Sequence, residues 1–303
     1  MTVLLALVVV VTLGIWIPLS QLVPGTPERS LLVYVAIGNA VFSGIALLAS
    51  GAHLTLGWRD FWLPLAGGVL WTGGNYCVSK ASKAIGLARA AGTWTPLNIV
   101  VAFVWGALLF GELDGFSAAR FAVLGLAFLA VVAGVLLIAG SRESPSGPPP
   151  GANIEPGRRT ASAGAGLLWA GGAGILWGTY FVPAQWAKVP AQVSDFPLAL
   201  GILAAALVLA LPAGEPVKLS GRAGSSLLGA GVLFGVGNLA LLALVARVGT
   251  GTGFTIAQLS LLVNASIGVW VFRVPEPGTR QAHKVLAGIV LAGIGGCAIA
   301  AMR

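Results

Sequence analysis

Asn75, Ser79 and Lys83 fall at i, i+4 and i+8 inside an otherwise apolar stretch, WTGGNYCVSKASKAIG, residues 71–86. On a helix that spacing puts all three on one face, and Thr72 extends the stripe. Trp94, Asn98 and Trp105 share a face of the next apolar run, at i, i+4 and i+11. Further along, Asn238, Gln258, Ser260 and Asn264 are comparable uncharged groups, and Asn39 adds an amide in the second run. Amides donate and accept, so they can pair with hydroxyl groups. An indole offers a flat apolar face and one N–H donor. Asn75, Trp94, Asn98, Asn238, Gln258 and Asn264 are therefore the candidate binding set, suited to a small, neutral, polyhydroxylated solute. The plainer reading stays open for each amide: bridging two membrane helices, at about 0.6 kcal/mol apiece.

Other chemistries find little to work with. The chain has no GxxxxGK, HExxH or GxSxG motif. His53 and His283 lie far apart, so neither a metal site nor a cofactor is expected, and an enzyme is not. Cys77 and Cys297 sit in apolar runs and read as packing residues. All nine carboxylates, Glu112 and Asp195 among them, fall in predicted loops or at span ends. No carboxylate is thus expected inside the membrane. A coupling ion such as the proton is left open between Glu112, a lysine, and none. Lys80 and Lys83 read first as side chains reaching to the interface. Attraction of an anionic solute, or a titrating role, are the alternatives.

These groups must be positioned in a chain of 303 residues that is 57% hydrophobic and only 9% charged. Soluble domains carry about 25% charged residues, so this surface must face lipid. The net charge of +8 sits mostly at the ends of apolar runs, as in membrane helices, and no nucleic-acid partner is expected. Ten spans are expected, at roughly 1–21, 31–50, 62–83, 86–110, 120–140, 163–187, 196–213, 225–246, 250–272 and 283–301. The first lacks a basic n-region and reads as a retained helix. Residues 141–162 are rich in Pro, Gly and Ser and read as a flexible linker between 1–140 and 163–303.

The two halves resemble each other. At an offset of 163, GVLWTGGN (68–75) lies on GVLFGVGN (231–238). At 162, Thr93, Leu97, Val101, Gly106 and Phe110 lie on Thr255, Leu259, Val263, Gly268 and Phe272. Five is odd, so a second copy of five spans enters from the opposite side. The expectation is an all-α membrane protein of ten transmembrane helices in two inverted five-helix repeats, a layout that puts solute sites near the midplane. Pro18, Pro96 and Pro183 interrupt spans and free carbonyls beside polar groups. Gly166, Ala170, Gly174 and Gly178 recur every four residues and suit close helix packing.

With its five-plus-five layout and the segment GAGILWGTYFVPAQWAK, the chain resembles the drug/metabolite transporter superfamily, of EamA-like type. Residues 74–112 and 237–272 are similar to its glucose/ribose porter branch: a glycine-bearing turn, a polar helix start, an apolar run, and, in the first copy, a closing GE. The second copy departs, ending in FRVPEPG. The resemblance implies a secondary transporter in the plasma (inner) membrane that moves a monosaccharide such as glucose or ribose by alternating access. Its partners would be the sugar and membrane lipid, and the family includes proton-linked members. The alternative is import or export of an amino acid, drug or other small solute by the same fold. Basic residues favour both termini outside, whereas the resemblance implies both in the cytoplasm.

Overall fold

The computed structural model describes residues 1–23, 26–85, 87–115, 117–141, 156–211, 219, 221–273 and 276–301. Among these residues it contains twelve α-helical segments and no strand. They are α1 (Thr2–Gln21), α2 (Glu28–Ser50), α3 (Leu63–Ile85), α4 (Leu87–Phe110), α5 (Ala118–Ser141), α6 (Pro156–Thr179), α7 (Val182–Trp186), α8 (Ala191–Ala210), α9 (Gly221–Val248), α10 (Thr250–Gln258), α11 (Ser260–Trp270) and α12 (Arg280–Ala301). A π-helical turn, Trp58–Trp62, leads into α3. Among the described residues, seven helical stretches are long and apolar enough to cross a membrane: Thr2–Ser20, Glu28–Ser50, Thr93–Phe110, Gly164–Trp186, Ala191–Ala210, Gly221–Val248 and Thr250–Trp270.

The expected spans agree with these helices to within a few residues at most ends, with instructive differences, among them the parting of the span read as 163–187 into α6 and α7. Residues 156–162, read as linker, form the first turns of α6; residues 142–155 of that linker lie outside the described residues. The span read as 250–272 is two helices, parted at Leu259. The same repeat position carries Pro96 inside α4, since an offset of 162 places Pro96 on Gln258. Finally, α8 opens at Pro190, not beside Pro197. Pro190 takes φ −56° and ψ 143°, and its carbonyl accepts from Val193 and Ser194. Either proline could open a helix, where its missing N–H costs nothing. The chain uses the first and carries the second inside α8, so Asp195 belongs to the helix and not to a loop.

Close helix crossings are made by glycines. A Cβ built on Gly38 would lie 2.2 Å from the Leu228 carbonyl oxygen, and one on Gly201 would lie 2.1 Å from that of Leu65. One on Gly231 would lie 2.2 Å from Val35 O, and one on Gly68 would lie 2.0 Å from Leu198 O. The second contact of each pair is the first with the halves exchanged at an offset of 163. Others follow suit. Gly14 meets Ser260 and Val263, while Gly178 meets Asn98 and Val101; Gly134 meets Gly288 and Ala292, while Gly295 meets Ala127 and Val131.

The helices gather into two compact units, and these cut across the sequence halves. The first holds residues 1–72, 103–114 and 179–264; the second holds 73–102, 115–178 and 265–303.

Candidate functional site

In the first unit, a buried polar cluster joins α2, α8, α9 and the two-residue break between α6 and α7. Asn39 and Ser43 are one turn apart on α2, which Pro27 opens and Gly51 closes in the left-handed conformation (φ 64°). Ser43 Oγ donates to Asp195 Oδ2 at 2.6 Å, and Asn238 Nδ2 donates to Asp195 Oδ1 at 2.8 Å. Tyr180 OH donates to Asn238 Oδ1 at 3.1 Å. Asp195 is 1% exposed, and Asn39 and Asn238 are fully buried. The Asn39 Nδ2 has no partner. Phe234, one turn before Asn238, packs against Trp71 and Trp16, with ring centroids 4.8 and 5.2 Å away.

The same unit holds a clasp around the start of α10. The Glu112 carboxylate accepts from the backbone N–H of Thr250 and, at 3.1 Å, from that of Gly251. Thr250 Oγ1 donates to Gln185 Oε1 on α7, and Trp105 Nε1 donates to Thr179 Oγ1 at 2.9 Å. Glu112, weighed above as a coupling group, thus caps a helix whose first amides have no internal acceptors. Glu112→Ala is expected to cost about 1 kcal/mol, the usual worth of such a cap. Thermal unfolding in detergent measures it, and an unchanged midpoint would deny the cap any energetic role.

In the second unit, α3, α4 and α6 meet around two indoles. Trp94, 8% exposed, stands edge-on to Trp177 with centroids 6.0 Å apart. Trp177 also fills the space beside Gly74, where a Cβ would lie 2.4 Å from its ring. Cys77, Ala81, Ala90, Ala170 and Ala173 complete this cluster, so the small residues of α6 serve packing. Asn98 lies one turn beyond Trp94 and is 3% exposed, and its Oδ1 is buried with no partner. An unsatisfied buried acceptor beside an indole is a place where a ligand hydroxyl would find a bond. Lys80 and Lys83 are exposed, Lys80 lying 5.3 Å from the Tyr76 ring centre, in keeping with side chains that reach to an interface.

The six sequence candidates divide three and three. Asn75, Trp94 and Asn98 belong to the second unit, where Trp177 stands beside both Trp94 and the Gly74 backbone. Asn75 is half-buried. Asn238, Gln258 and Asn264 belong to the first. There Asn238 serves Asp195 and Tyr180, and is spent on protein contacts. Gln258 is half-buried and ends α10 at the interruption, and Asn264 is half-buried on α11. The sequence missed Asp195, Ser43 and Tyr180. The available signal was Pro190, an equally good helix start five residues before the acid.

Apolar helices of membrane-crossing length in number describe a multi-pass membrane protein. The chain belongs to the sugar transport protein family, whose profile matches residues 4–302. A "Putative sugar uptake protein" of Listeria monocytogenes is 24% identical over 91% of this chain and 90% of its own. A "Putative ribose uptake protein" of Lactiplantibacillus plantarum is 23% identical over 92% and 91%. A protein of known crystal structure aligns with 99% of this chain and 96% of its own at a TM-score of 0.73 and 18% identity, a likeness of fold alone.

Proposed function

We propose that this sugar transporter is a secondary carrier for a monosaccharide, glucose or ribose, in the plasma membrane, and works by alternating access. The family match across residues 4–302 carries the reading of the substrate class. Its relatives' names, one of them for ribose, support a monosaccharide. Ten crossings in two inverted repeats fit the glycine contacts that recur with the halves exchanged. The candidate sugar-binding residues are Asn75, Trp94 and Asn98 in the second unit and, taken separately, Gln258 and Asn264 in the first; Asn238 is committed to Asp195 and Tyr180. Trp94 would take the C–H face of the ring and Asn98 a hydroxyl, as its free carbonyl oxygen allows.

Uptake of labelled glucose, ribose, amino acids and cationic drugs into proteoliposomes tests the reading. Saturable flux of a sugar alone supports it, and flux of drugs or amino acids without sugar would replace it. Cysteine labelling tests the topology. Ten crossings place Gly57, Ser117 and Lys188 on one side, and Thr26 and Gly278 on the other. Labelling of Thr26 and Ser117 from the same side would break the ten-span arrangement.

A further inference from the structure

The carboxylate of Asp195 is the one charged group in the buried cluster of the first unit, and both groups bonded to it are neutral. A charge held in a membrane helix is expensive, and such residues mark ion and proton paths by default. The cluster has a further peculiarity. Ser43 has one hydroxyl hydrogen but two acceptors in reach: Asp195 Oδ2 at 2.6 Å and Asn39 Oδ1 at 3.5 Å. One hydrogen cannot serve both. Ionised Asp195 claims it and leaves Asn39 out, which also has an idle Nδ2 donor.

We propose that Asp195 is a proton-binding site of the transport cycle, and that its protonation reverses the hydrogen-bond order from Ser43→Asp195 to Asp195→Ser43→Asn39. The inference rests on the transporter reading. The direction follows from donor counting. Asn238 Nδ2 can only donate, so Oδ1 must go on accepting and the acid hydrogen sits on Oδ2. There it points at Ser43 Oγ, which accepts and turns its own hydrogen to Asn39 Oδ1. A proton from water is added to Oδ2 and returned to water on release, and no other bond is made or broken. Asn39 and Ser43 are thus positioning residues, holding the second arrangement ready.

The side chains bonded to Asp195 are neutral, and α3, which crosses α8 at Gly68, carries no titratable residue from Leu63 to Thr72. From α2 come Ser43 and Asn39; from α9, Asn238; from the chain before α7, Tyr180, which is turned to Asn238. The π-helical turn packed on α8 carries Arg59, which donates to the Ala187 carbonyl at 3.0 Å, and Asp60, which accepts from Thr55 at 2.6 Å. Both have partners elsewhere.

Two assays in proteoliposomes separate this site from the sugar reading. Exchange of labelled for unlabelled glucose or ribose at equal pH needs no net proton movement; accumulation driven by an imposed pH gradient does. Wild type should do both. Asp195→Asn, which copies the neutral acid in shape, should still exchange but accumulate no more than empty liposomes. Infrared difference spectra across a pH step supply a second readout. Wild type should show a protonated-carboxyl stretch that is absent from Asp195→Asn and displaced in Ser43→Ala. If Asp195→Asn does not insert, the Ser43→Ala displacement decides, and an unmoved band overturns the proposal. Gradient-driven accumulation by Asp195→Asn, or wild-type exchange with no response to a gradient, also overturns it. Absence of any sugar exchange in wild type sinks the sugar reading and this inference with it.

Discussion

Gly231→Val is expected to leave little folded protein. The new Cβ would meet Val35 O at 2.2 Å, Val35 C at 2.9 Å and Asn39 N at 3.0 Å. All three are backbone atoms of α2, so no side chain can swing aside and the helices must part. Overpacking of this kind costs about 1–3 kcal/mol, occasionally more. Here it also displaces Asn39, and with it the polar cluster. Gly68→Val should fail in the same way, since its Cβ would lie 2.0 Å from Leu198 O. Gly229→Ala is the control. Nothing lies within 4 Å of its Cβ, and alanine in mid-helix should add roughly 0.5–1 kcal/mol of stability. Monodisperse yield and melting in detergent are the measurements. A Gly231→Val protein that melts with the wild type would show that α2 and α9 do not cross this closely.

Asn98→Ala and Asn238→Ala are expected to part ways. Asn238 serves Asp195 with its amide hydrogen and Tyr180 with its oxygen. Its removal leaves Asp195 with Ser43 alone and a buried phenol with no acceptor. Each orphaned group costs about 1–3 kcal/mol, and more when charged, so the melting temperature should fall steeply and maximal uptake with it. Asn98 is the opposite case, because its Oδ1 is already buried without a partner. Truncating it relieves that defect, and stability should hold or rise. If Asn98 bonds the sugar, affinity falls roughly three- to tenfold, the worth of one neutral hydrogen bond. Uptake kinetics beside detergent melting separate the two. Unchanged affinity in Asn98→Ala would remove it from the binding set. A stable Asn238→Ala would mean that Asp195 does not depend on it.

Helix positions were legible because apolar runs of membrane length leave few alternatives, and Pro, Gly and charged turns mark their ends. The sequence offset between the halves has a counterpart in the glycine contacts that recur with the halves exchanged. The helix break at Leu259 was not. Repeat logic pointed at Pro96, but its counterpart Gln258 is a good helix residue and gives no local signal for a break. Asp195 was missed because two prolines compete to open one helix. Asn238 was found as a buried amide, but its partners come from α8 and the α6–α7 break, far away in sequence. Trp94 and Asn98 were legible as a pair because i, i+4 on one helix is a local relation that needs no partner to recognise.

The glycine crossings have one more consequence. Gly38 with Leu228, Gly68 with Leu198, Gly14 with Val263, Gly178 with Asn98 and Gly134 with Gly288 each join one half of the sequence to the other. A half made alone would carry smooth glycine faces with nothing to meet them. Two separate genes, one ending and one beginning between residues 142 and 155, should nevertheless yield a working carrier when expressed together. The covalent link supplies proximity and stoichiometry; the recognition is written in the bare backbone of the opposite half.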